Sequence, residues 1–203
     1  MHSCRRRVLF DKGSPTPPTP IPYQQVEYLE SDGTQYIDTE IYPNTATFKF
    51  EIEYADIANH NIRCGCRSSR KGFWFCNGGN TGRIYDKWAI EYGSQVSYTT
   101  CQNDGQFHIV KMDNVVNFDG SPIITFNSQS VQCDYTFTLF CANQGTTKYY
   151  GYMKIKKFKA YIDNIIVIDA VPIIDNGVGE MYNKVTRLFL PRYGTLIVGP
   201  DIN

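Results

Sequence analysis

ATFKFEIEYA, residues 46–55, decides the fold. Phe48, Phe50, Ile52 and Tyr54 take every second position, and Lys49, Glu51 and Glu53 fill the gaps. Successive side chains of a strand point to opposite faces, so this segment predicts one apolar face on a core and one charged face in water. YMKIKKFKAYI, 152–162, repeats the pattern with Met153, Ile155, Phe158, Ala160 and Ile162 set among lysines. Its phase slips between Ile155 and Phe158, which predicts a β-bulge.

On either side of these two segments, short apolar or alternating runs recur about every ten residues between Gly, Asn, Asp and Pro. FHIVKMD at 107–113, SPIITFN at 121–127 and TFTLFCAN at 136–143 are predicted strands. Hairpins are predicted at 68–71, between IRCGC and GFWFC, and near 77–80, leading into GRIYDKWAIEY. No window carries a 3.6-residue period with caps, and no repeat of fixed length occurs. Fifteen Tyr and 12 Phe against 4 Met favour pleated surfaces. The expectation is an all-β chain, a two-sheet antiparallel jelly-roll sandwich spanning 23–203. At 203 residues the chain is long enough for one such domain and a tail.

The tail is distinct in composition. SPTPPTPIP, 14–22, cannot form helix or ladder, because each proline removes a donor and pins φ. It predicts a semi-rigid linker of roughly 25–30 Å. Residues 1–13 before it read as an assembly anchor, with Arg5, Arg6 and Arg7 beside the small apolar patch Val8, Leu9 and Phe10. The alternative is a chain end without a role. Three apolar residues are too few for the core of a secretion signal. The most apolar stretch, IIVIDAVPII at 165–174, is broken by Asp169 and Pro172, which argues against membrane insertion. Lys plus Arg equals Asp plus Glu at 20 each, so no net field draws the chain to nucleic acid.

Seven cysteines, at 4, 64, 66, 76, 101, 133 and 141, cannot all pair within one chain. They read as small buried thiols in a reduced compartment, or as two or three disulfides with at least one thiol left over. Cys64-Gly65-Cys66 lacks the spacing of a metal knuckle, and no histidine pair follows it.

VEYLESDGTQYIDTEIYPN at 26–44, the FKFEIEYA strand, and KIKKFKAYIDNIIVIDAVPIIDNGVGEMYNKVTRLF at 154–189 together resemble the LamG-like, concanavalin A-type jelly-roll domains of bacteriophage structural proteins and gut-bacterial surface proteins. GVGEMYN, 177–183, departs from the family's wording at that turn, which is closer to G-L-Y-D. The resemblance implies a sandwich that binds glycans on its concave sheet or rim loops and does not cleave them. It also implies display on a virion, as a head decoration or fibre or a tail appendage, or else on a bacterial surface. The implied partners are other virion proteins, met through the N-terminal arm, and host-surface glycans. A homo-oligomer is expected, since exposed edge strands need protection. A purely structural assembly protein is the competing expectation.

Glycan binding needs an aromatic platform with amides and carboxylates around it. Residues 72–92 supply that mixture, so Trp74, Tyr85, Trp88 and Tyr92, with Asn77, Asn80, Arg83 and Asp86, are the candidate ligand contacts. Strand alternation turns at least one of Phe73, Trp74 and Phe75 inward. The best catalytic alternative is a glycoside hydrolase using Glu51 and Glu53, about 6.5–7 Å apart along one strand face. That face carries Lys49 and no nearby tryptophan, so it reads as solvated surface. No GxSxG occurs, and NGGNTG at 77–82 lacks the Lys-Ser/Thr of a phosphate loop. Asp104 and Asp119 are isolated carboxylates rather than a calcium loop, and His108 reads as a satisfied strand residue. Asp175, Asn176, Gly177 and Gly179 read as a structural turn, both glycines supplying positive φ. No cofactor or metal is expected.

Overall fold

A computed structural model describes residues 20–57, 63–69, 71–77, 87–100 and 104–202, except the side chains of Asn77 and Lys87. The anchor residues Arg5, Arg6, Arg7, Val8, Leu9 and Phe10, and the proline-rich segment up to 19, lie outside them. The described residues form two packed sheets of eleven and nine strands, and no helix. The chain is an all-β sandwich.

The first sheet runs Ser121–Thr125, Val115–Phe118, His108–Met112, Phe48–Asp56, Tyr152–Ile162, Ile165–Asp175, Val178–Asn183, Leu188–Phe189. The second runs Arg192–Tyr193, Tyr36–Asp38, Thr138–Leu139, Arg63–Ser68, Lys71–Asn77, Lys87–Gly93, Gln95–Thr100. Pairing is antiparallel except where Cys141–Gln144 runs parallel to Arg63–Ser68. Phe48–Asp56 and Tyr152–Ile162 pair along nine positions, and a register shift between Ile155 and Lys157 is the bulge that the phase slip predicted.

Phe48, Phe50, Ile52 and Tyr54 all turn inward, as their spacing required. They meet an aromatic seam between the sheets. The Phe50 ring lies 4.9 Å from Phe137, which stacks on Phe158 at 5.7 Å. Tyr54 meets Phe75 edge-on at 5.2 Å, and Phe75 meets Trp88 at 5.3 Å. Such pairs add about 0.5–1.5 kcal/mol each beyond the area they bury.

Two local expectations need correcting. TFTLFCAN is not one strand, because Phe140 has a φ of +64° and divides it into Thr138–Leu139 and Cys141–Gln144. A bulky residue in the left-handed region ends the ladder. In the turn at 175–178, Asn176 and Gly177 have positive φ, of 50° and 80°, but Gly179 does not. Gly179 sits in a strand where a Cβ would come within 2.6 Å of Leu29 and 2.9 Å of Val198, so close packing selects it. Asn176 Nδ2 donates to the Asp175 carboxylate at 3.2 Å.

Cys64, Cys66, Cys76, Cys133 and Cys141 are buried and unpaired. Burial pushes the Cys76 and Cys141 thiols up to about 11, so both stay protonated and pack as small apolar groups.

Replacing Phe137 by Ala removes the ring that links Phe50 to Phe158. Urea unfolding of Phe137→Ala is expected to show a loss of about 3–5 kcal/mol, whereas Ile165→Thr, at a site 68% exposed, stays within about 0.5 kcal/mol of wild type.

Candidate functional site

The charged face of Phe48–Asp56 and its neighbours forms the outer wall of the first sheet. Lys159, Glu51, Lys111 and Asn117 stand in one cross-strand row, and Tyr161 stands opposite Lys49 in the next. Lys49, Glu51, Lys111, Asn117 and Tyr161 of these residues edge an open groove of about 320 Å³, with Asp113, Asn164 and the apolar Phe50, Met112 and Val115; Lys159 does not line it. Lys111 Nζ is 3.0 Å from Glu51, and Lys49 Nζ is 3.5 Å from Asp113. The groove therefore holds two cations, two anions, two amides and one phenol ring, with no net charge. Its volume lies at the small end for ligand clefts, about 300–1,000 Å³.

Strand alternation places the groove's polar groups, since the apolar residues of the same strands are consumed by the core. Asn164 gets there differently. It occupies the turn between Tyr152–Ile162 and Ile165–Asp175 with φ +63°, a conformation that asparagine tolerates. Glu53 does not line the groove; it turns to Lys156, 3.8 Å away. Glu51 and Glu53 thus each face a lysine, and they do not flank a common cleft.

The platform expected from residues 72–92 is only partly assembled. Tyr85, Asn80, Arg83 and Asp86 lie outside the described residues, as does the Asn77 side chain. Trp88 and Tyr92 are core residues, which corrects their assignment as ligand contacts. Trp88 is 1% exposed, wedged between Phe75 and Phe118, the latter at 4.5 Å. Tyr92 is 4% exposed, stacks on Phe126 at 5.6 Å, and donates its hydroxyl to the Thr45 carbonyl at 2.8 Å. Their inward phase sends Trp74 outward on the neighbouring strand. Trp74 is partly exposed, with the Arg67 guanidinium 5.1 Å from its ring centre.

Asp104 and Asp119 are not isolated. His108 brings them together: Nδ1 meets Asp119 Oδ2 at 2.8 Å and Nε2 meets Asp104 Oδ1 at 3.0 Å. Asp56 is buried nearby, and Gly105 N donates to its Oδ1 at 2.9 Å. Burial raises the Asp56 carboxyl above its ordinary value. Asp104 and Asp119 reach His108 locally, across the hairpin of His108–Met112 and Val115–Phe118, and only Asp56 is brought in by the pairing of Phe48–Asp56 with His108–Met112. Among the described residues, no group of three or more His, Cys, Asp or Glu is placed to hold a metal ion.

No protein-family model and no curated protein matches the chain. The fold and the groove define its class, a β-sandwich with a cleft of mixed polar and apolar lining on one outer face.

Burial alone would lower the His108 pKa, but hydrogen bonds to Asp119 and Asp104 outweigh it and hold the ring above its ordinary 6.5. The bonds made by the imidazolium therefore stabilise fully below about pH 6.5, and their contribution is lost as pH rises through the raised folded value. In urea melts, His108→Gln is expected to be weaker than wild type by about 1 kcal/mol at acid pH, with the difference shrinking toward pH 8.5.

Proposed function

We propose that this protein is a non-catalytic carbohydrate-binding module, carried on a bacteriophage particle through its N-terminal arm. One observation carries the binding half: the neutral groove at Lys49, Glu51, Lys111, Asp113, Asn117, Tyr161 and Asn164. Tyr161 supplies a ring for the C–H face of a sugar. Asn117 and Asn164 both donate and accept, the carboxylates accept from hydroxyls, and the lysines donate to ring and hydroxyl oxygens. Charge balance within the groove suits an uncharged saccharide, since any unpaired charge on the ligand would leave one wall repelled. The two carboxylates are tied to lysines, and this arrangement serves recognition rather than acid–base chemistry.

The display half rests on the likeness of the 26–44, FKFEIEYA and 154–189 segments to phage jelly-roll domains, and on the basic, proline-spaced sequence before them. A second reading, a structural assembly protein, draws on Gln95–Thr100. This strand ends the second sheet, bears no charge, and exposes Val96 and Tyr98 at 42% and 49%. Such an edge is suited to pairing with a second copy.

A glycan array probed with the full chain tests the first reading. Retention of neutral glycans is expected, with Tyr161→Ala weakening binding about tenfold, roughly 1.4 kcal/mol. Glu51→Gln is expected to leave every bound glycan uncleaved, as wild type does. A blank array, combined with capture of a capsid or tail protein by residues 1–22, would make the chain an architectural part. Glycan shortening abolished by Glu51→Gln would make it a hydrolase.

A further inference from the structure

The groove does not end at Lys49 and Asp113. The same two residues also line a second pocket, of about 370 Å³, together with Thr45, Tyr92, Asn114, Ser128 and Gln129. Each hollow alone lies near the lower limit for ligand clefts, about 300–1,000 Å³, and the two joined fall in the middle of that range. Their common wall is the Lys49–Asp113 ion pair at 3.5 Å, whose side chains are 42% and 32% exposed. The divide is therefore open to solvent, and a ligand can lie across it.

The second pocket has a fixed frame. Thr45 Oγ1 donates to the Gln129 carbonyl and accepts from Val131 N at 3.0 Å. Gln129 Nε2 donates to the Tyr92 carbonyl, and its Oε1 accepts from Ser94 N and Oγ at 3.1 and 2.7 Å. Asp113 is held too, since its Oδ1 accepts from Val115 N at 2.6 Å while Oδ2 faces Lys49. Walls that are already ordered reduce the cost of binding. Asn114 and Ser128 stand apart from this frame. Both are exposed, and neither side chain makes a hydrogen bond among the described residues. An amide and a hydroxyl each donate and accept, as sugar hydroxyls do. The pocket holds no charge beyond the shared pair, so its chemistry repeats that of the groove.

Two adjoining hollows of like chemistry match a ligand whose polar units repeat. We propose that the groove and this pocket form one cleft for a neutral oligosaccharide, with one sugar unit beside Tyr161, a later unit beside Asn114 and Ser128, and the chain crossing the Lys49–Asp113 pair. The inference rests on the carbohydrate-binding reading of the groove and adds to it that the ligand is an oligosaccharide rather than a single sugar. Once one unit is seated, its neighbour is held at high effective concentration over the other pocket, so affinity grows with length until both are filled.

NMR titration of the isotope-labelled full chain with cello-, malto-, chito- and manno-oligosaccharides, from single sugars to hexamers, tests it. At least one series is expected to tighten about tenfold or more with length and then level off. Amide shifts at Asn117 and Asn164 are expected with every member that binds, and shifts at Asn114 and Ser128 only with the longer ones. Ser128→Trp, which fills the pocket from an exposed position, is expected to erase the gain with length and to leave the shortest members bound as in wild type. Asn114→Ala is expected to lower the gain several-fold, and Tyr161→Ala to weaken short and long members alike. Thermal melts establish that each variant folds. Binding that does not change with length, or a gain kept by folded Ser128→Trp, overturns the joined cleft and leaves the groove standing. Shifts at Asn114 and Ser128 with none in the groove, or no binding in any series, overturn both.

Discussion

The structure depends on the aromatic seam between its sheets. Phe48, Phe50 and Tyr54 from one sheet meet Phe73, Phe75 and Phe137, and Phe158 closes the row from the strand beside them. A sheet with one apolar face must cover it, and rings fill the gap between sheets with few side chains. Committing every second residue of a strand to that seam releases the alternate residues to the two outer walls. Core and outer surface are thus two halves of one alternation.

The two outer walls use that freedom differently. On the first, lysines and carboxylates interleave across strands, and several pair, as in Lys111 with Glu51 and Lys184 with Asp169 at 2.8 Å. Exposed pairs of this kind contribute little stability, about 0–1 kcal/mol. Their effect is to leave a wall of balanced charge. On the second, among the described residues, Arg63 and Arg67 outnumber Glu91 around Trp74, and burial holds the Glu91 carboxyl up at about 6 against the pull of Arg67.

Burial also separates the aromatic residues that sequence groups together. Phe73, Trp74, Trp88 and Tyr92 lie within twenty positions, yet only Trp74 faces outward. Composition identified a region rich enough in rings for sugar stacking, but it could not say which rings the core had already taken. Phase decides this, and the phase of Lys87–Gly93 is set by its pairing with Lys71–Asn77. Tyr161 was legible as part of a lysine-rich strand, but its role at the groove required Lys49 and Asn117 from other strands.

The sequence by itself determined the all-β class, the inward residues of Phe48–Asp56 and Tyr152–Ile162, and the bulge after Ile155, because period-two alternation is local and survives without neighbours. Tertiary structure alone decided the break at Phe140, the packing demand at Gly179, the Asp104–His108–Asp119 cluster, and which polar residues converge on the groove and around Glu91. Apart from the Asp104–His108–Asp119 cluster, which a single hairpin assembles, these depend on the register between strands distant in the chain, and that register is settled only when both sheets close over the aromatic seam.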